Sequence, residues 1–389
     1  MDYRKFKYII VGSGFFGSVM AERIANELNE PVLLIEKRNH IGGNCYSKRD
    51  PQTGIEYHAY GTHIFHTSDD KVWNYINRFT SFNSYRHQVL STYKNKVYQL
   101  PINLETINSF YDVNLKPFEV DEFLAKEIAK SELSGEPQNF EDKAISMMGR
   151  PLYEAFFRGY TLKQWNKDPK EMPASILTRL PFRKNYNESY YDSKWQGIPL
   201  HGYTDIFKKL LRNPKIELKL NLDFFEIKDL ISPDTNLIYS GPLDRYYDYK
   251  YGKLEWRSLR FEQEIKEVED YQGTSVMNYP EQNIPFTRIH EARHLHPERS
   301  YHPNKSLIIR EYSLMDNGEN PFYPINDHRN QKLVKLYRAE ADKEENLIIS
   351  GRLGDYKYYD MDATIARALE VYETQIKSNH AAYRLQRVE

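Results

Sequence analysis

The first glycine cluster constrains this chain more than any other feature. Lys7-Tyr8-Ile9-Ile10-Val11 is a short apolar run, and Gly12-Ser13-Gly14-Phe15-Phe16-Gly17 follows it directly. Ser18 to Leu28 then places Val19, Met20, Ile24, Ala25 and Leu28 near helical spacing. Pro31 ends the connection, and Val32-Leu33-Leu34-Ile35 is a second apolar strand closed by Glu36. This order predicts a βαβ unit. Gly12, Gly14 and Gly17 have the G-x-G-x-x-G spacing, in which the first glycine permits a tight turn. The second lets backbone approach a pyrophosphate, and the third lets the helix lie close on the sheet. The helix N-terminus offers free N–H groups and partial positive charge to phosphates, with Ser13 and Phe16 in the same cradle. An acid at the position of Glu36 accepts hydrogen bonds from an adenosine ribose. The segment therefore predicts binding of the ADP half of a dinucleotide.

The next residues point to which dinucleotide. Lys37-Arg38-Asn39-His40-Ile41-Gly42-Gly43-Asn44 continues directly from Glu36. This E-x(5)-G-G pattern resembles the second glycine motif of FAD-containing oxidoreductases, which NAD-binding Rossmann domains normally lack. By that resemblance the cofactor is FAD, with Lys37, Arg38, Gly43 and Asn44 beside its phosphates and ribityl chain.

Charge and length set limits on the rest. Lysine plus arginine total 54 and aspartate plus glutamate 55, for a formal net charge of -1. No global field attracts nucleic acid or an acidic membrane, so basic residues that matter act locally, in a cleft. No apolar run approaches the roughly 20 residues needed to span a bilayer. The single cysteine, Cys45, precludes an internal disulfide, and a reducing, cytoplasmic setting fits it. The 389 residues allow more than one hydrophobic core. Tyrosine is abundant, at 32 residues, and its hydroxyl wants a partner wherever the ring is buried.

Downstream, the periodicity is helical from about Asn103 to Lys184, and again from Gly202 to Leu211. Leu237 to Ser240 reads as a buried strand, and short strands alternate with turns from Leu254 to Tyr312. Gln331 to Ala339 is helical. Leu347-Ile348-Ile349, Gly351 and a helix from about Asp362 to Ile376 resemble the opening unit and are expected to return to its sheet. The expected fold class is α/β: a discontinuous Rossmann-like FAD-binding domain (1–100, 201–253 and 326–389), an inserted helical domain (101–200) and an antiparallel β-sheet domain (254–325).

Several strings occur in order along almost the whole chain. They are Tyr60-Gly61-Thr62-His63-Ile64-Phe65-His66-Thr67, Gly159-Tyr160-Thr161-Leu162-Lys163-Gln164-Trp165, Leu177-Thr178-Arg179-Leu180-Pro181, Phe286-Thr287-Arg288, Pro321-Phe322-Tyr323-Pro324, and Gly351-Arg352-Leu353 through Tyr358-Tyr359-Asp360-Met361. Together they resemble the bacterial type of UDP-galactopyranose mutase. The resemblance implies a reduced-flavin-dependent isomerase that interconverts UDP-galactopyranose and UDP-galactofuranose, with flavin N5 as nucleophile at the sugar anomeric carbon. It also implies a homodimer and a role in cell-surface polysaccharide synthesis.

Site residues follow from the same resemblance. Arg179 matches a mobile-loop arginine and Arg288 a second arginine, both on the substrate diphosphate. Tyr190, Tyr323 and Tyr358 match tyrosines that donate to those phosphates. Phe156 and Tyr160 match the uracil wall, and Trp165 the tryptophan beside the sugar. His63, with Tyr60, Gly61 and Ile64, matches the loop next to the flavin. Arg352, Tyr359, Asp360 and Met361 match residues contacting or facing it. Arg257 matches a family arginine of structural character. The chain departs from the family pattern at Thr62, where proline or alanine is usual, at His87, where asparagine is common, and at Trp195, where tyrosine or phenylalanine is usual. These departures bear on sugar choice, with UDP-N-acetylgalactopyranose as the alternative substrate. A flavin oxidoreductase of the amine-oxidase type shares only the N-terminal fingerprint, and an amine needs no diphosphate clamp.

Overall fold

The computed structural model describes residues 3–131, 133, 135–179 and 181–380, and the side chains of Ser175, Thr178 and Arg179 lie outside that description. Tyr8–Val11 is the central strand of a five-stranded sheet. The spatial order is Leu347–Ile349, Asn236–Tyr239, Tyr8–Val11, Val32–Ile35, Ile216–Lys219, and every neighbouring pair is parallel. A parallel sheet covered on both faces needs apolar residues at nearly every position. Ile10, Leu34 and Ile238 face one layer, packed by Val19, Phe207 and Ile365 from three helices. Ile9, Leu33 and Tyr239 face the other, packed by Phe224, Leu243 and Tyr337. The closing unit returns as expected: Leu347–Ile349 pairs with Asn236–Tyr239, and the helix Met361–Val371 lies against the first helix.

The first helix begins at Phe15 rather than Ser18 and spans Phe15–Arg23. It continues as a π-helical turn over Ile24–Leu28 and stops at Asn29, which is left-handed at φ 59°.

The second sheet has seven strands, in the order Tyr323–Pro324, Trp256–Lys266, Ser306–Met315, Arg288–Glu291, Val276–Asn278, Val89–Tyr93, Lys96–Leu100. It reaches beyond 254–325. The hairpin of Val89–Tyr93 and Lys96–Leu100 hydrogen-bonds into this sheet, although the expected boundary at residue 100 groups it with the dinucleotide unit. The sheet is also mixed rather than purely antiparallel, because Val276–Asn278 pairs with Val89–Tyr93 in parallel. A boundary read from composition sees local pattern, and strand membership is decided by distant partners.

Helices fill most of the segment between this hairpin and residue 165. Leu104, Ile107, Leu124, Leu152 and Phe156 form their shared core. The last of them, Gly159–Trp165, leans on the second sheet and carries two of the expected site residues.

Candidate active site

The two glycine motifs meet backbone to backbone. Gly12 is left-handed at φ +96°, and a Cβ on Gly17 would collide with the Gly12 carbonyl oxygen, so helix and strand approach as closely as backbone allows. A Cβ on Gly43 (φ +56°) would lie 3.2 Å from the Gly14 Cα. The Gly42 N–H donates to the Ser13 carbonyl at 3.0 Å, which joins the two turns. Open space surrounds Gly14 on its side-chain side. That is the cradle a pyrophosphate needs at a helix N-terminus.

Glu36 stands at the end of its strand with its carboxylate already oriented. It accepts from the Ser13 N–H (3.0 Å), the Ser13 hydroxyl (2.9 Å) and the Arg38 N–H (3.0 Å). Arg38 donates to Asn44 Oδ1 at 3.0 Å and lies over the Tyr60 ring at 4.5 Å. Lys37 donates to the Glu319 carbonyl at 3.1 Å.

From this cradle a cleft with a cavity volume of about 330 Å³ runs between the two sheets. Phe16, Gly43 and Asn44 line it near the cradle; Gly61, His63, Ile64 and Arg352 lie further along. Tyr358, Tyr359, Asp360 and Met361 border it at the start of the last helix, and Arg288 and Tyr323 lie on the second sheet. His63 pairs its Nδ1 with the Gly61 carbonyl at 2.7 Å, which leaves Nε2 as the acceptor nitrogen. Burial lowers its pKa to about 4, against the opposing effect of that carbonyl, so the ring is neutral at pH 7. Arg352 donates to the carbonyls of Pro321 (3.2 Å) and Phe322, and burial brings it down to about 10.

Arg288 is the focus of the other end. It sits directly opposite Glu311 in the strand register, and its Nε lies 3.3 Å from the carboxylate. Burial disfavours the charge on Arg288, but the Glu311 carboxylate together with Tyr160, Tyr323 and Tyr190 outweighs it and holds the guanidinium well above its usual range. Burial likewise pushes Glu311 up, and Arg288 with His290 and Thr287 brings it down to about 2. The side chain of Arg288 is 30% exposed, toward the cleft, while Glu311 beneath it is buried. Arg288 also donates to the Tyr160 hydroxyl, and its guanidinium carbon lies 5.7 Å from that ring. Tyr323 and Tyr358 stack on each other at 5.7 Å. Tyr190 lies edge-on to His87 at 5.2 Å and to Tyr191 at 5.1 Å.

Two expected site residues stand apart. Phe156 is 4% exposed and packs against Tyr98 and Phe110 in the helical core. Trp165 packs at the edge of the cluster built on Phe140 and Tyr153. The side chain of Arg179 lies outside the described residues; its backbone ends a 3-10 stretch, Ala174–Arg179. The three departures have distinct places. Thr62 hydrogen-bonds His290 Nδ1 at 2.7 Å, His87 is buried beside Tyr85 and Gln196, and Trp195 stacks on Trp73 at 5.2 Å. Arg257 is buried and donates to the carbonyl of Gln164 (2.8 Å) and to Ser313 (2.9 Å), closing the last turn of Gly159–Trp165.

Sequence reasoning missed Glu311 and His290. His290 Nε2 lies 2.9 Å from Glu311, so Thr62, His290, Glu311 and Arg288 form one chain of contacts with His290 and Glu311 buried at its centre. The available signal was a glutamate following the apolar run Leu307-Ile308-Ile309.

Fold and site define a Rossmann-like dinucleotide-binding protein whose cleft ends in an arginine set among tyrosines. The model for NAD(P)-binding Rossmann-like domains matches residues 10–79, and that for UDP-galactopyranose mutase matches residues 155–358. A probable UDP-galactopyranose mutase of Klebsiella pneumoniae is 42% identical over 374 residues, 95% of this chain and 94% of that one. A dTDP-fucopyranose mutase of Escherichia coli is 40% identical over 378 residues, covering 96% and 99%. A UDP-galactopyranose mutase of Mycoplasma pneumoniae is 31% identical, covering 95% and 96%. The chain belongs to the UDP-galactopyranose mutase family. Its fold matches a crystal structure of reduced UDP-galactopyranose mutase with a TM-score of 0.71 at 16% identity, over 95% of both chains. It also matches a putative protoporphyrinogen oxidase from Exiguobacterium with a TM-score of 0.61 at 11% identity, covering 95% and 99%. Among the described residues no helix is long and apolar enough to cross a membrane.

Proposed function

We propose that this protein binds FAD in the cleft and interconverts UDP-galactopyranose and UDP-galactofuranose at its far end. One observation carries the reading: Arg288, backed by Glu311 and bonded to Tyr160, faces the cavity that begins at the glycine cradle. A mutase of this kind must release and recapture a nucleoside diphosphate, and a rigid multi-donor guanidinium suits that task.

The cradle fits FAD. Gly12, Ser13, Gly14, Gly17 and Gly43 provide close backbone approach, Glu36 offers its carboxylate to the ribose, and Lys37, Arg38 and Asn44 stand beside the phosphates. Tyr60, Gly61, His63, Ile64, Arg352, Tyr359, Asp360 and Met361 line the same cleft and would border the flavin ring. When bound and reduced, the flavin supplies N5 as the nucleophile for the anomeric carbon. The chain's own residues position and neutralise. Arg288 and Arg179 hold the diphosphate while it is detached from the sugar. Tyr190, Tyr323 and Tyr358 donate hydroxyl hydrogen bonds to the same oxygens. Tyr160 orients Arg288 and flanks the base. Neutral His63 places no cation beside the ring system. A cytoplasmic homodimer accompanies this reading.

A second substrate is favoured by the relative in Escherichia coli, whose name assigns it dTDP-fucopyranose at nearly the same identity. Fucose is 6-deoxygalactose, so the two substrates differ at the sugar 6-hydroxyl, at one methyl of the base and at the 2′-hydroxyl of the nucleoside. The base methyl alone is worth only ~1–3 kcal/mol of discrimination, whereas a hydroxyl that the site hydrogen-bonds discriminates far more strongly. The deciding experiment incubates the reduced protein separately with the UDP-galactose, dTDP-fucose and UDP-N-acetylgalactosamine pyranose forms and separates the products by chromatography. The highest kcat/KM is expected with UDP-galactose. A preference above tenfold for dTDP-fucose or the N-acetylated sugar transfers the assignment to that sugar.

A further inference from the structure

Lys163 sits in an unusual cage. Its Nζ donates to four backbone carbonyls of one loop: Tyr279, and Glu281, Ile284 and Phe286 at 3.0 Å each. That loop joins the strands Val276–Asn278 and Arg288–Glu291, and it is closed by the Tyr279 N–H donating to the Thr287 carbonyl at 2.9 Å. The last caged carbonyl is two residues from Arg288. One turn earlier in the helix, a Cβ on Gly159 would collide with the Pro280 carbonyl oxygen, so the helix backbone touches the same loop. Between these two contacts lies Tyr160, whose hydroxyl meets Arg288.

The chemistry of the cage requires the ammonium. Three N–H groups are shared among four carbonyl oxygens, and a neutral amine would turn its lone pair toward one of them. Burial brings this lysine down to about 8, with Glu281 opposing, so it remains mostly charged at neutral pH. Nothing in the cage touches the cleft, and Lys163 is not among its lining residues. Its effect on a reaction must pass through what it holds.

We propose that Lys163 is a positioning residue for the nucleotide sugar: by pinning the loop 279–286 to the helix Gly159–Trp165, it sets Tyr160 against Arg288. The inference rests on Arg288 and Tyr160 belonging to the substrate site. Its consequence is selective. Loss of the pin weakens the grip on the nucleoside diphosphate before and during reaction alike, which raises KM and spares kcat. A lysine needed only for folding would lower stability without that pattern.

The test is steady-state kinetics of the reduced holoenzyme with UDP-galactofuranose for wild type, Lys163→Met, Tyr160→Phe and the double variant. Lys163→Met is expected to raise KM about tenfold, keep kcat within about threefold and keep its full flavin content. In the Tyr160→Phe background the same substitution should change KM by less than about twofold, because coupled residues are not additive. A KM within twofold of wild type, or an undiminished effect in the Tyr160→Phe background, overturns the inference while leaving the substrate assignment intact. Should Lys163→Met fail to fold, hydrogen exchange of wild type with added UDP decides. Joint protection of residues 159–166 and 279–288 supports the pin, and protection of one segment alone overturns it. An inactive wild type with neither segment protected removes the substrate assignment, and this inference with it.

Discussion

Arg288 and Glu311 face each other across adjacent antiparallel strands, with 3.3 Å between the guanidinium Nε and the carboxylate. The pair places a permanent cation at the floor of the cleft and fixes its orientation from below. Its carboxylate also takes His290 at 2.9 Å, and His290 takes Thr62 from the loop that carries His63. The loop carrying His63 and the Arg288 guanidinium are thus mechanically connected.

Arg288→Ala is expected to retain flavin and lose at least ~100-fold in kcat/KM, since two charge-assisted hydrogen bonds contribute roughly 1.5–3 kcal/mol each. It should also lower the melting temperature, because Glu311 is left buried without its counter-charge. Arg288→Lys should recover most of the stability and little of the activity. Thermal melts and kinetics on the same preparations check both parts.

Gly17→Ala should abolish flavin retention. The added methyl collides with the Gly12 carbonyl oxygen and must push the first helix off its strand. Released flavin measured after denaturation should fall to near zero. Full flavin content would show that the turn tolerates the displacement.

Thr62→Ala removes the hydroxyl 2.7 Å from His290 Nδ1. A lost buried hydrogen bond costs about 1 kcal/mol, so KM should rise by about fivefold if the chain of contacts reaches Arg288. Thr62→Ser should restore it. An unchanged KM in Thr62→Ala would confine Thr62 to packing.

Stability should fall on mild acidification. His58 and His87 are buried, and burial lowers each pKa to about 3; His58 Nδ1 also accepts the His63 N–H. Unfolded histidine titrates near 6.5. Their neutral forms therefore support the fold fully above pH 6.5, and that support is lost as pH falls toward 3. Glu311, depressed to about 2, adds loss only below about pH 4.5. At pH 5, unfolding should take up about three protons through these two histidines and His63, which burial lowers to about 4, a slope of ~4 kcal/mol per pH unit. Denaturant melts at pH 5 and 7 measure it, and His87→Asn should reduce the uptake to about two.

The dinucleotide unit was legible because its signals are local. Strand, glycines, helix and Glu36 lie within 30 residues, and the periodicities of 2 and 3.6 separate strand from helix there. The helix start was misplaced at Ser18 because Gly14 caps it without a side-chain bond. The closing strand was legible through its likeness to the opening one. The hairpin Val89–Leu100 was not, since its membership depends on Val276–Asn278, far along the chain. Arg288 was found by resemblance, but its partner was hidden. Pairing Arg288 with Glu311 requires the register of two strands, which one-residue slips would reverse. Phe156 shows the converse. An aromatic residue on a helix face does not reveal its neighbours in sequence, and the contacts of Phe156 with Tyr98 and Phe110 come from distant segments.

The central claim is that a reduced flavin in this cleft serves a sugar isomerisation and not net oxidation. It is tested most directly by anaerobic incubation of the holoenzyme with UDP-galactofuranose, with and without dithionite, followed by chromatography. UDP-galactopyranose is expected only in the reduced sample, with no flavin oxidised per turnover. Equal conversion by the oxidised enzyme, or flavin oxidation in proportion to product, would contradict it.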